Sequence, residues 1–165
     1  MSKQNLALIA LVSAAFLSAC STTQKTDAPQ ASDAAGKPVS TVTPVVADHL
    51  NPNSLISTQR SVYFDFDKFD IKANQAAVVE RQGKYLAANG ALKVRVEGNA
   101  DERGGREYNL ALGQKRAEAV RRALSLQGVS EAQLEAVSFG KEKPAAQGAD
   151  EEAYSKNRRV EVSYR

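Results

Sequence analysis

Arg116 stands where a helix should bury an apolar side chain. At 100° per residue, Leu112, Ala119, Val120 and Ala123 fall in one stripe. Arg116 lies in the middle of that stripe, four residues from both Leu112 and Val120. The neighbouring charges Lys115, Arg121 and Arg122 fall outside it. A guanidinium on a core-facing line must find an anion or carry a desolvation cost. The fold therefore has to bring an anion to this helix face. Asp101 is one source, from the acidic, glycine-rich turn Asp101-Glu102-Arg103-Gly104-Gly105 that leads into the helix. A ligand is the other.

The elements around this helix follow from periodicity. Ser61 to Phe66 is aromatic and β-prone, a first strand. Ile71 to Ala88 reads as a helix stopped by Asn89-Gly90, with Ile71, Val78, Val79 and Leu86 as its apolar positions. Leu92 to Glu97 alternates apolar and charged residues, the pattern of a half-buried strand. The arginine-bearing helix runs from about Glu107 to Gln127 and closes at Gly128. A turn at Ser130 to Gln133, a strand from Leu134 to Phe139, a helical turn within Asp150 to Lys156 and a last strand from Arg159 to Tyr164 complete the series. The order βαβαββ predicts an α+β domain, a mixed sheet with helices on one face. No internal repeat is present.

This patterning stops abruptly on the N-terminal side. Residues 21 to 53 hold four of the five prolines and no aromatic, the composition of a disordered tether. Such a tether spans at most ~110 Å when extended and about 30 Å as a coil. The folded domain is expected over residues 54–165. His49, the single histidine, falls in the tether as a solvated residue. Ahead of it, Lys3 gives a short basic segment, and Leu6 to Ala19 is an apolar stretch of 14 residues. That length suits a secretory signal better than a membrane span. Leu17-Ser18-Ala19-Cys20 resembles the lipobox of bacterial lipoproteins. The resemblance implies cleavage after residue 19, a diacylglyceryl on the Cys20 sulfur and an acyl chain on its amine. Several acyl chains anchor stably where one is marginal. Ser21 in place of an aspartate implies delivery to the outer membrane.

Composition narrows the function classes. One cysteine permits no internal disulfide, and one histidine in a tether argues against histidine-based catalysis or metal binding. Formal net charge is +3, a weak argument for any polyanion. Lys115, Arg116, Arg121 and Arg122 are interrupted by Glu118 and lack an aromatic platform, so a solvated face is expected and no nucleic-acid partner. Asp65, Asp67 and Asp70 alternate with Phe66 and Phe69 without calcium-loop spacing, so no metal and no cofactor is expected. Asp101 and Glu102 adjoin in one turn and cannot oppose each other across a glycosidic bond, so no enzyme is expected.

What remains is a zwitterionic cluster of element ends. It comprises Asp65, Asp67 and Lys68 after the first strand, and Asn99, Asp101 and Arg103 after the second. Asn109 and Arg116 on the long helix and Asn157, Arg158 and Arg159 before the last strand complete it. A carboxylate beside a guanidinium suits a ligand with one ammonium and one carboxylate. Glu97-Gly98-Asn99-Ala100-Asp101-Glu102-Arg103-Gly104, then Asn109-x-x-Leu112-x-x-x-Arg116-Ala117-x-x-Val120, then Asn157-Arg158-Arg159 resemble the OmpA-like peptidoglycan-binding domain family. The resemblance covers about residues 54 to 165, and the lipobox and tether match the family's lipoprotein members.

The resemblance implies noncovalent binding of peptidoglycan stem peptides through meso-diaminopimelate, gripped by Asp101 and Arg116. Asp67, Arg103, Asn109 and Arg158 are implied as further pocket residues. It also implies protein partners in the Tol system, TolB above all, and a role in envelope integrity and cell division. Where the family usually has histidine, this sequence has Asn99. Asparagine replaces a neutral imidazole as donor or acceptor but gains no charge. If that position orients Asp101, the geometry survives and any histidine pH dependence is lost. A lipid-anchored protein–protein adaptor is the alternative reading.

Overall fold

The computed structural model describes residues 46–165. The signal segment, Cys20 and most of the tether lie outside the described residues. The elements are α1 (Leu55–Thr58), β1 (Ser61–Tyr63), α2 (Ala76–Ala88), β2 (Val94–Asn99), α3 (Arg106–Ser125), β3 (Leu134–Gly140), α4 (Glu151–Asn157) and β4 (Arg159–Tyr164). Two 3-10 turns, Ala73–Gln75 and Glu131–Gln133, precede α2 and β3. The sheet order is β1-β4-β2-β3. β4 runs antiparallel to both β1 and β2, while β2 and β3 are parallel. This is the expected α+β mixed sheet, with α3 as the crossover between the parallel pair.

The core is mainly aliphatic. Val62 and Phe64, Val94 and Val96, and Val160 and Val162 are buried against Val79 and Leu86 of α2 and Ala117, Val120 and Leu124 of α3. Strand alternation accounts for this, since every second residue of β2 and β4 turns inward. The buried face of α3 is rotated from the stripe expected from sequence. It follows Gly113, Ala117, Val120 and Leu124, while Ala119 and Ala123 are only partly buried. The cause is a close approach of backbones. A Cβ on Gly98 would lie 1.9 Å from the Gly113 carbonyl oxygen, and one on Gly113 would lie 2.9 Å from that of Gly98. Glycine carries no hydrophobic signal, so the pattern missed the line of closest contact.

Buried polar side chains lock the periphery. Gln82 donates to the carbonyls of Ile56 and Gln59 and accepts from the Tyr164 hydroxyl at 2.5 Å. Gln133 reaches the carbonyls of Leu86, Asn89 and Leu92, satisfying the end of α2. His49 departs from the expected solvated state. Its ring stacks on Tyr164 with centroids 5.1 Å apart, and its Nδ1 lies 2.9 Å from the Tyr85 hydroxyl. Arg60 donates to the His49 carbonyl and lies over the Tyr164 ring. Packing against the domain thus begins before Ser54, because an aromatic surface is available to the one ring in that stretch.

Candidate functional site

β1 pairs for three residues only, and the chain then leaves the sheet to build one wall of a hollow. Phe64 still donates its N–H to the Arg158 carbonyl. Asp67 then takes φ 55°, a left-handed conformation that aspartate tolerates better than most residues. This turn directs the carbonyls of Asp65 and Lys68 towards α3. On the other side, β2 delivers the Asn99 carbonyl, and the acidic turn crosses to α3 through Gly104 at φ 88°. Lys141 holds that turn by donating to the carbonyls of Glu102 and Gly104.

Arg116 is fully buried where these segments meet. Its Nε donates to the Lys68 carbonyl at 2.7 Å, Nη1 to Asn99 at 2.9 Å and Nη2 to Asp65 at 3.0 Å. Its guanidinium also lies over the Phe64 ring, 5.3 Å from the centroid. Of the two expected sources of an anion, Asp101 does not supply it directly, since no carboxylate among the described residues forms an ion pair with Arg116. Its hydrogen bonds go to neutral carbonyls instead, and carboxylates act on its charge only at longer range, from Asp101 and Asp67. Burial pushes its pKa down to about 10, against the more distant Asp101 charge that acts to raise it. The group therefore stays cationic at neutral pH. A guanidinium has five N–H donors, and one on each Nη has no partner among the described residues.

Asp101 is occupied elsewhere. Arg103 forks onto it, Nε to Oδ1 at 3.2 Å and Nη2 to Oδ2 at 2.6 Å. Arg158 Nη1 donates to Oδ2 at 3.2 Å, and the Arg103 backbone N–H to Oδ1 at 3.2 Å. Burial alone would raise the Asp101 carboxyl. The hydrogen bonds from Arg103 and Arg158 outweigh it and hold the group below the usual carboxylate range.

These groups surround a hollow of about 260 Å³. Asp101, Arg103, Asn109 and Arg116 give it polar walls, and Phe66, Tyr108 and Leu112 line the rest. Of the six residues expected from sequence, five line it: Asp67, Asp101, Arg103, Asn109 and Arg116. Arg158 stands behind Asp101, tied to the Phe64 carbonyl and to Glu151. Asn109 acts on the loop, donating to the Arg103 carbonyl at 2.8 Å. Asn99 does not orient Asp101 through its side chain. Its Nδ2 turns back to the Glu97 carbonyl, its Oδ1 has no partner among the described residues, and its own carbonyl holds Arg116. Two aromatic residues were missed. Tyr108 donates to Asp67 across the mouth, and Tyr154 stacks on Arg103. The spacing 108, 112, 116 places Tyr108 on the Arg116 line two turns earlier, a signal legible in the sequence. Tyr154 gave none.

Comparison with known proteins places the fold in a family. A family model described as the OmpA family matches residues 63–158. The peptidoglycan-associated lipoprotein of Pasteurella multocida is 52% identical over 104 residues, covering 63% of this chain and 69% of that protein. That of Pseudomonas putida is 48% identical over 120 residues, covering 73% and 72%. Among solved structures, the peptidoglycan-associated lipoprotein from Burkholderia pseudomallei superposes with a TM-score of 0.69 at 51% identity. That match covers 72% of this chain and all of the other. The C-terminal domain of Helicobacter pylori MotB shares the fold at 26% identity and a TM-score of 0.55, over 62% and 83% of the two chains.

Proposed function

The chain belongs to the OmpA family and, within it, to the peptidoglycan-associated lipoproteins, and from that premise we propose that it staples the outer membrane to the cell wall. It is an envelope protein that binds and does not catalyse. In this reading Cys20 carries the lipid, residues 20–53 form the tether, and the hollow receives the meso-diaminopimelate of a peptidoglycan stem peptide. One observation carries the reading. Arg116 lines the hollow, is buried and cationic, is hydrogen-bonded only to neutral carbonyls, and has two N–H groups without a partner among the described residues. A carboxylate is the partner that supplies the missing charge and accepts both spare donors. Asp101 beside it answers the ammonium of the same amino-acid head.

The Tol system, with TolB as the main protein partner, and the role in envelope integrity and division come with the family. Phe66 and Tyr108, each more than half exposed at the mouth, support a surface that a protein partner and the wall compete for.

Pull-down by purified sacculi tests the site. Arg116→Ala and Asp101→Ala are each expected to lower bound protein at least ten-fold. Circular dichroism on the same samples checks that the variants are folded. Wild-type binding by both folded variants sinks the proposal.

A further inference from the structure

Asp101 has no room for a ligand as it stands. A carboxylate offers about four lone-pair sites. Two N–H groups of the Arg103 side chain, the Arg103 backbone N–H and Arg158 Nη1 fill them. An arriving ammonium must therefore displace one of these donors. Arg158 is a poor candidate, since its side chain is 7% exposed and is also tied to Glu151 and the Phe64 carbonyl. The backbone N–H belongs to the turn itself. The Arg103 side chain is different: it is 37% exposed, and it reaches Asp101 from the solvent side.

We infer that Arg103 is an internal stand-in for the ligand's ammonium, a displaceable guard that occupies Asp101 until the ligand takes its place. The inference rests on the zwitterion reading of the hollow given above. The surroundings of Arg103 suit a side chain with two seats. Its guanidinium is stacked between Phe66 and Tyr154, 4.2 and 4.3 Å from their centroids. Glu151 lies 3.8 Å from the same Nη2 and is 66% exposed. The released guanidinium slides between the two rings from Asp101 towards Glu151 and keeps both its stacking and a carboxylate partner. Displacement thus costs less than breaking an isolated buried ion pair. It also sets an order of events. The ligand carboxylate meets the spare donors of Arg116 first, and the ammonium then competes with Arg103. Amino acids without a well-placed carboxylate lack the first contact and do not dislodge the guard.

The test uses the full chain in detergent micelles, titrated with free meso-diaminopimelate. The side-chain Nε–H resonances of Arg103 and Arg158 are followed by NMR. At saturation the Arg103 Nε–H is expected to shift and to exchange with water at least ten-fold faster, while that of Arg158 stays in place. Calorimetry on Arg103→Gln and Arg103→Lys, neither of which retains the fork, is expected to give binding several-fold tighter than wild type. An unmoved Arg103 resonance at saturation overturns the inference. So does weaker binding by both folded variants, which makes Arg103 a ligand contact and no guard. Asp101→Asn separates the two levels. If it binds as wild type, the site reading itself fails; if it loses binding while the Arg103 variants also weaken, only the guard fails.

Discussion

At the scale of single residues, the site is a division of labour among arginines. Arg116 is held by carbonyls and forms no ion pair among the described residues, whereas Arg103 and Arg158 share Asp101. The two situations have opposite pH signatures. The Asp101 pKa is lower in the folded than in the unfolded chain. Its stabilisation is therefore complete above the usual carboxylate value and is lost as pH falls through the folded value. Arg116 has its folded pKa lowered, so its charged burial opposes folding at every pH below about 10, and that opposition is relieved only as pH rises beyond it. Between neutral and acid pH, Asp101 is thus the group of the two whose contribution changes. Asp101→Asn is expected to cost about 2 kcal/mol at neutral pH, the worth of charge-assisted bonds around a buried carboxylate. That difference should shrink as pH drops below ~4, where the carboxylate of the unfolded chain begins to protonate while the folded one stays charged to lower pH. Urea titrations of both proteins from neutral to acid pH measure it. A difference that grows on acidification contradicts the assignment.

At the scale of elements, the decisive feature is the contact of α3 with β2. Gly98 and Gly113 let the two backbones touch, and that contact sets Arg116, three residues on, within reach of the Asn99 carbonyl. Gly98→Ala places a Cβ 1.9 Å from a main-chain oxygen that no rotamer change can move. It is expected to destabilise the domain by about 3 kcal/mol, at the upper end of overpacking costs. It should also weaken ligand binding by shifting α3 away from the loop carbonyls. Thermal melting and the meso-diaminopimelate titration check both, and wild-type values in the first argue against the close approach. The same contact shows what the sequence could and could not say. Element order, sheet class and five of the residues that line the hollow were legible, because alternation, helical spacing and punctuation by Gly and Pro are local signals. The rotation of α3 was not, since glycine lines are silent in an apolar pattern. Nor was the partner of Arg116. Main-chain carbonyls have no residue identity, so the pattern pointed to Asp101, whose lone pairs Arg103 and Arg158 had already taken.

At the scale of the molecule, the two ends of the sheet do different things. The register pairs Val94 with Tyr164, and β2 and β4 carry Asn99 and Arg158 to the other end. The strands are six residues long, so the ends lie roughly 20 Å apart. The hollow sits at one end. The incoming chain docks at the other, where His49 meets Tyr85 and Tyr164. In the proposed role between a membrane and a wall, this geometry would load the domain lengthwise, along its strands, with the His49 contacts first in line. They also extend the packing of the described residues ahead of Ser54. Fragments starting at residue 46 and at residue 54 distinguish the boundary seen in the packing from the one expected from composition. The shorter fragment loses the stacked ring, its bond to Tyr85 and the acceptor of Arg60. It is expected to be less stable by about 1–2 kcal/mol, a drop of several degrees in melting temperature. Its affinity for meso-diaminopimelate should match that of the longer fragment, because nothing it loses touches the hollow. Equal melting temperatures would return the boundary to Ser54, and a loss of affinity would mean that the two ends of the sheet are coupled.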